Sequence, residues 1–134
     1  MPIQKVLVVD DSKTELMFLT DLLQKKGMQV RTAENAEEAF RRLAEEKPDL
    51  ILMDVVMPEM DGVEATAYLR GKPELAHLPI VALSANASLA DQARALSAGA
   101  NAFLPKPIER DALLAQIGKV LSLTWISKQD RRME

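Results

Sequence analysis

Five short apolar segments alternate along this chain with stretches of helical periodicity, and no other feature constrains the fold as strongly. The segments are too short for helices and are typical of strands buried in a sheet. One of them alternates apolar and polar residues and predicts a more exposed strand. The five predicted strands span residues 5–9, 28–32, 50–53, 78–83 and 100–104. Strict strand–helix alternation implies right-handed crossovers and a mostly parallel sheet with helices on both faces.

The intervening stretches carry apolar residues at helical spacing. The first ends at Gly27, a typical helix terminator, and Asn35 with Glu38 has the spacing of a capping box for the second. Leu89 and Leu96 belong to the apolar stripe of the fourth. The second predicted helix follows Asn35 and buries Ala36, Ala39, Phe40 and Leu43. The other predicted helices cover residues 13–26, 63–70, 89–98 and 109–121. Beyond them, residues 123–134 predict a solvated tail that can fray, outside a domain of residues 1–122.

The chain length fits one domain with a full hydrophobic core, since it has 134 residues. For five alternating strands the common doubly wound order is 2-1-3-4-5, which is the flavodoxin-like arrangement. In such sheets the ligand crevice lies at the carboxyl ends of the strands, where the strand order reverses between strands 1 and 3. The predicted fold is therefore an α/β, doubly wound, five-stranded parallel sheet.

Composition excludes several classes of function. Seventeen Lys and Arg against twenty Asp and Glu give a net charge of −3, which argues against a nucleic-acid surface. The absence of cysteine excludes disulfides, thiol nucleophiles and Cys-rich zinc sites. No apolar run approaches the ~20 residues of a membrane span, and the first residues do not resemble a signal peptide. We expect a cytoplasmic protein.

Acidic residues follow two of the predicted strands directly. Asp10 and Asp11 come after the first strand, and Asp54 comes after the third. If these strands are neighbours, three carboxylates converge at the crevice, which is costly unless a cation neutralises them or their pKa values shift. Ligands that are all oxygen atoms suit Mg²⁺, with Mn²⁺ as the alternative.

Two further polar residues fall on the same edge of the predicted sheet. Ser84 ends the fourth strand, and Lys106 follows the fifth. A carboxylate surrounded by a hydroxyl, a lysine and a divalent cation is what phosphoryl transfer to that carboxylate requires, because catalysis there consists of positioning groups and neutralising charge.

Each of these residues also has a purely structural interpretation. Asp54 can start a turn, and Asp10 with Asp11 can occupy the acidic first turn of a helix. Ser84 is a common loop residue, and Lys106 between two prolines can be a surface residue on a rigid turn. The functional interpretation is favoured because all of these positions fall at strand ends on one edge.

Three motifs carry a resemblance to a known family. Residues 6–11, residues 52–58 with Asp61-Gly62, and Ser84 with Lys106-Pro107 match the receiver domains of two-component response regulators, including the chemotaxis type. The match covers about residues 4–122. It implies that Asp54 accepts a phosphoryl group from the phosphohistidine of a sensor histidine kinase or of a phosphotransfer protein.

The resemblance also implies a ligand set for Mg²⁺. Asp11 and Asp54 would bind the ion directly, joined by the backbone carbonyl of Val56 and, through water, by Asp10. The side chains of Val56 and Asn86 occupy the two positions that tune loss of the phosphoryl group in this family.

Further roles follow from the same resemblance. Lys106 would contact the phosphoryl oxygens, and Ser84 would donate a hydrogen bond to one of them. Movement of Ser84 is coupled in the family to the aromatic side chain at the Phe103 position. The Lys106-Pro107 bond resembles one that is usually cis. The chain departs from the common pattern in having Phe103 rather than tyrosine, and Ser84 where threonine is frequent.

The two halves resemble different branches of the family. Residues 4–58 resemble stand-alone receivers of the pilus-motility type, whereas residues 60–108 are more similar to receivers attached to hybrid sensor kinases. A stand-alone protein, a fragment of a hybrid kinase and a chimera made by fragment exchange all fit this mixture.

The favoured function is a phosphorylation-activated switch. Its output would be contact with a downstream protein through the face formed by helix 4, strand 5 and helix 5, which in this family also mediates homodimerisation on activation. We expect no enzymatic output apart from self-phosphorylation by small donors and autodephosphorylation. An aspartyl-phosphate phosphatase, a less favoured alternative, would need a second acid where Val56 stands and a cap domain. A phosphorylation-independent interaction module is the other alternative.

Overall fold

The computed structural model describes residues 4–85 and 88–133, with side chains described as far as residue 121. Its five strands are all parallel and form one sheet in the order β2-β1-β3-β4-β5, which confirms the predicted fold. The described elements are, in chain order, β1 (Lys5–Val9), α1 (Lys13–Lys25), β2 (Gln29–Ala33), α2 (Ala36–Glu45), β3 (Leu50–Asp54), α3 (Gly62–Arg70), a 3₁₀ turn (Pro73–Leu75), β4 (Ile80–Ser84), α4 (Leu89–Ser97), β5 (Ala102–Pro105) and α5 (Arg110–Met133).

The helices cover both faces of the sheet. Helices α1 and α5 pack on one face over a core that includes the fully buried Leu19, Leu23 and Leu113. Helices α2 and α3 pack on the other face around residues such as Ile51 and Leu69. Strand β3 is buried along its whole length because it lies in the middle of the sheet with helices on both sides.

Helix α4 does not bury the leucines that its sequence predicts to face the core. The apolar stripe turns away from the sheet, and the side chains of Leu89 and Leu96 are 83% and 48% exposed. Only Ala95 is buried on this helix, where it packs beside Ala82 and Ala100. Small side chains at this contact let the helix backbone lie close to the sheet, which leaves the leucines outside.

The apolar periodicity predicts that the last helix ends at residue 121, but α5 continues to Met133. The segment after Leu121 contains neither glycine nor proline, so nothing in it terminates a helix even though its apolar period fades. The division into a domain of residues 1–122 and a tail of residues 123–134 stays a prediction. In the described part of the chain, no helix is both long and apolar enough to cross a membrane.

Backbone hydrogen bonds hold the polar residues that follow the strands at one edge of the sheet. The Asp10 amide donates to the Ala33 carbonyl at 3.0 Å, and the Val55 amide donates to Leu83 at 2.8 Å. The Lys106 amide donates to the Ser84 carbonyl at 2.8 Å. These bonds continue the parallel ladder just past the strand ends, so the residues that follow β1, β3, β4 and β5 are held at one edge.

Candidate functional site

Three carboxylates meet where β1 and β3 end. Asp10 is fully buried, Asp54 is 3% exposed, and Asp11 lies at the surface. One oxygen from each carboxylate can be chosen so that all three lie within 4.8 Å of one another. The neighbouring strands bring them together, because Val9 pairs with Met53 in the register of β1 and β3.

Lys106 closes the inner side of this acidic cluster. Its Nζ donates a hydrogen bond to Asp10 Oδ2 at 2.8 Å and lies 3.2 Å from Asp54 Oδ1. The other oxygen of Asp10 accepts a hydrogen bond from the Ser12 amide at 2.9 Å. Both oxygens of the buried Asp10 carboxylate are therefore engaged by the protein, which offsets much of the cost of burying its charge.

The site has strong electrostatic effects on its own members. Burial, reinforced by the charge of Asp10 and opposed by Lys106, raises the pKa of Asp54 to about 7. Burial acts to lower the pKa of Lys106, but its hydrogen bond to Asp10 and the charges of Asp54 and Asp10 outweigh that effect and raise it. Lys106 therefore stays a cation at neutral pH. With a pKa of about 7, Asp54 is protonated in part of the molecules at neutral pH unless another cation is present.

The three acids fit a hard divalent cation. The cluster offers only carboxylate oxygens, which are the ligands that Mg²⁺ prefers. The three carboxylates carry more negative charge than Lys106 alone neutralises. Asp11 and Asp54 are the better candidates for direct ligands, because the oxygens of Asp10 already accept hydrogen bonds from Ser12 and Lys106.

The other predicted site residues lie around this centre. Ser84 is buried at the end of β4, which pairs with β3, the strand that ends at Asp54. The Val56 side chain is 64% exposed on the open side of the site. Phe103 is partly buried on β5 and packs against the small-residue cluster under α4. The Lys106–Pro107 peptide is cis, as the resemblance implies, and Asn86 lies outside the described residues.

Gly62 supports the site although its sequence context indicates only a turn. Its amide donates to the Val55 carbonyl at 2.7 Å, and a Cβ at this position would collide with the backbone carbonyl oxygen of Asp54. The next turn is fixed by a capping box, in which the Asp61 side chain accepts from the Glu64 amide and Glu64 accepts from the Asp61 amide. The Asp61-Gly62 pair therefore holds the loop after Asp54 against β3.

Arg94 is a second residue near the site that the sequence did not single out. It lies on α4, between Asp61 at 3.8 Å and Asp91 at 3.5 Å. These three residues form part of the lining of a cleft that reaches Val56 and Ser84. The signal in the sequence is weak, because an Asp and an Arg three positions apart on a helix is an ordinary surface pair.

Comparisons with known proteins agree with this geometry. The family model of the response regulator receiver domain matches residues 6–118. Protein PilH of Pseudomonas aeruginosa is 37% identical over 118 residues, which cover 88% of this chain and 98% of PilH. The polar-differentiation response regulator DivK of Brucella anthropi is 35% identical over 105 residues, covering 78% of this chain and 85% of DivK.

Solved structures give the same result. The chemotaxis protein CheY4 of Vibrio cholerae superposes with a TM-score of 0.85 at 31% identity, over 89% of this chain and 99% of CheY4. The receiver domain of a signal transduction histidine kinase from Syntrophus aciditrophicus superposes with a TM-score of 0.82 at 36% identity, over 89% and 90% of the two chains. The assignment of the two halves to different branches stays a prediction. The chain belongs to the family of response regulator receiver domains, which work in phosphorylation-dependent two-component signalling.

Proposed function

We propose that this chain is a switch in which Asp54 accepts a phosphoryl group from the phosphohistidine of a sensor kinase or a phosphotransfer protein. The observation that carries the proposal is the placement of Lys106, whose Nζ lies 3.2 Å from Asp54 Oδ1 and 2.8 Å from Asp10 Oδ2. A cation at that position is suited to neutralise charge on a phosphoryl group bound to Asp54.

The reaction follows from the chemistry of the site. A carboxylate oxygen of Asp54 forms a bond to phosphorus as the phosphorus–nitrogen bond of the donor breaks, and the imidazole leaves with the electron pair. Only the ionised form of Asp54 attacks. Because the pKa of Asp54 is about 7, molecules in which it is protonated must first lose that proton. Mg²⁺, when bound, supplies charge that favours the ionised carboxylates and neutralises the phosphoryl oxygens.

Ser84 and Phe103 have the positions that a switch requires. Ser84 ends β4 next to Asp54, and we assign its hydroxyl to a phosphoryl oxygen after transfer. Phe103 packs beneath α4, so a shift of β4 at its carboxyl end reaches that helix through the same cluster. The exposed leucines of α4 then form part of the surface that a downstream protein, or a second copy of the chain, contacts.

We propose no enzymatic output beyond phosphorylation by small donors and loss of the phosphoryl group to water. The position two residues after Asp54 is Val56, an exposed apolar residue, so the general acid of an aspartyl-phosphate phosphatase has no equivalent there. A phosphorylation-independent module is less well supported, because it would gain nothing from a buried acidic cluster that raises the pKa of Asp54.

The proposal is tested by intact mass after incubation with a small phosphodonor and Mg²⁺. The native chain should gain one phosphoryl group. Asp54→Asn should gain none, since the amide is not a nucleophile, while its circular dichroism matches that of the native chain. Omission of Mg²⁺ is the second control. Equal phosphorylation of the Asp54→Asn variant would place the acceptor elsewhere, and a folded native chain that takes up nothing would favour the phosphorylation-independent module.

A further inference from the structure

A cleft of about 360 Å³ opens beside Asp54, between the loop after β3 and helix α4. Its lining combines an apolar wall from the loop with polar and charged side chains from the other elements. The lining residues are Val55, Val56, Met57, Asp61, Ser84, Asp91 and Arg94. Because Val56 and Ser84 also border the phosphorylation site, the cleft is continuous with it.

The cleft has an excess of negative charge. It contains two carboxylates, from Asp61 and Asp91, and one guanidinium, from Arg94, so its formal charge is −1 at neutral pH. The distances of 3.8 Å and 3.5 Å from Arg94 to the two acids are longer than hydrogen bonds. Arg94 therefore offsets part of the negative charge without being locked to either acid.

Both carboxylates are held in place independently of Arg94. Asp61 Oδ1 accepts the Glu64 amide at 2.8 Å as the N-cap of α3. Asp91 Oδ2 accepts the Ser88 hydroxyl at 2.9 Å at the start of α4. The two charges are thus part of the helix caps, and they persist when the arginine is changed.

The cleft lies on the side of Asp54 that faces away from Lys106 and towards the exposed Val56. Lys106 contacts Asp54 Oδ1 on the inner side, where the Asp54 side chain is 5% exposed, whereas Val56 on the outer side is 64% exposed. In a displacement at phosphorus, the leaving group lies opposite the attacking oxygen. For a donor that enters on this side, the leaving group departs over Val56, at the mouth of the cleft.

We propose that the charge of this cleft selects phosphodonors by the charge of their leaving group, with Arg94 setting the strength of the selection. The inference rests on the proposed function, in which Asp54 is the acceptor. Donors that release an amine are favoured over donors that release a carboxylate, because a departing anion is repelled by Asp61 and Asp91 whereas a neutral or protonated amine is not. Phosphohistidine belongs to the favoured class, since it releases imidazole.

Two small donors represent the two classes. With phosphoramidate, the Asp54 oxygen bonds to phosphorus, the phosphorus–nitrogen bond breaks with its electron pair going to the protonated nitrogen, and ammonia leaves. With acetyl phosphate, the phosphorus–oxygen bond breaks and acetate leaves with the negative charge. Both reactions yield the same aspartyl phosphate, so differences in Mg²⁺ binding or in the loss of the phosphoryl group cancel in the ratio of the two initial rates.

The test is the ratio of the initial phosphorylation rate with phosphoramidate to that with acetyl phosphate, measured by intact mass at saturating Mg²⁺ and low salt. Arg94→Gln should raise this ratio roughly two- to threefold, the order of effect that one unit charge has across a small cleft in a largely aqueous dielectric. Arg94→Lys, which keeps the charge, should leave the ratio at the native value. Asp91→Asn should lower it, and high salt should reduce all of these differences.

Arg110→Gln is the matched control, because Arg110 is an exposed arginine paired with Asp111 outside the cleft. It should leave the ratio unchanged. Arg94→Gln slowing both donors equally would mean that the guanidinium contacts the phosphoryl group or only supports the fold, and would overturn the proposal, as would an unchanged ratio. A native chain that takes phosphoryl groups from neither donor would overturn the proposed function itself, and this inference with it.

Discussion

At the scale of single residues, the proposed phosphoacceptor Asp54 depends on neighbours that take no part in the reaction. Gly62 is the clearest example, because its lack of a side chain lets the start of α3 lie directly against the backbone of Asp54. The Gly62 amide also bonds to the carbonyl of Val55, the residue that follows the acceptor. The position of the Asp54 carboxylate therefore depends in part on the absence of a Cβ at Gly62.

Gly62→Ala is expected to damage both stability and phosphorylation. The added methyl group collides with backbone rather than with a movable side chain, so the loop after β3 must shift. We expect a loss of roughly 1–3 kcal/mol in the free energy of unfolding, as for other overpacked sites. Urea denaturation measures this loss, and the phosphorylation rate of the still-folded variant should also fall.

Gly118→Ala is the matched control for that substitution. Gly118 lies within α5, and a Cβ there meets nothing within 4 Å. Alanine at an open helical position should stabilise the chain by up to about 1 kcal/mol. Equal effects of the two substitutions would contradict the close approach at Gly62.

The polar and charged residues of the site could be predicted from the sequence, because their positions depend only on where the strands end. Asp10, Asp54, Ser84 and Lys106 each follow a short apolar segment, and the order of the strands then brings them together. The direct contact between Lys106 and Asp10 could not be predicted in the same way. It depends on the conformation of the loop after β5, which apolar periodicity does not encode.

At the scale of elements, α4 shows what periodicity leaves undecided. A stripe of leucines predicts a helix but does not say which side faces the sheet, and here the small Ala95 is buried while Leu89 and Leu96 are exposed. These two exposed leucines lie on a helix beside the proposed phosphorylation site, and they fit a surface that a partner covers.

The double substitution Leu89→Ser with Leu96→Ser tests that interpretation of α4. The free energy of unfolding should change by only about 0.5 kcal/mol, because both side chains are already largely in water. Leu113→Ser on α5 is the buried comparison and should cost about 2–5 kcal/mol. Size-exclusion chromatography with light scattering should then show that any self-association of the phosphorylated native chain is weakened in the α4 variant. Large destabilisation by the α4 pair would show that these leucines belong to the core.

At the scale of the whole molecule, the acidic site opposes the stability of the fold. In the unfolded chain the carboxyl of Asp54 has the ordinary pKa of 3.8, whereas in the metal-free folded chain its pKa is raised to about 7. Between these values the folded state keeps a proton that the unfolded state has lost. Stability therefore falls as pH rises from about 4 to about 7, because the folded state binds more protons.

Mg²⁺ should remove this pH dependence, because it stabilises the ionised form of Asp54 in the folded state. The increase in melting temperature on adding Mg²⁺ should be small at acidic pH and should grow as pH rises through about 7. Thermal unfolding followed by circular dichroism, with and without Mg²⁺ across this range, measures the effect. Asp54→Asn should melt higher than the metal-free native chain at alkaline pH and respond less to Mg²⁺. A Mg²⁺ effect independent of pH would contradict the role assigned to Asp54.

The site is built from residues 10, 54, 84 and 106, which lie at or directly after the ends of four different strands and span most of the length of the domain. A partly folded copy, in which β5 has not yet joined the sheet, lacks Lys106 at the acidic cluster even if β1 and β3 are already paired. Such a copy lacks the complete charge arrangement that the proposed phosphoryl transfer to Asp54 requires. Under the proposed function, signalling is thus limited to fully assembled molecules.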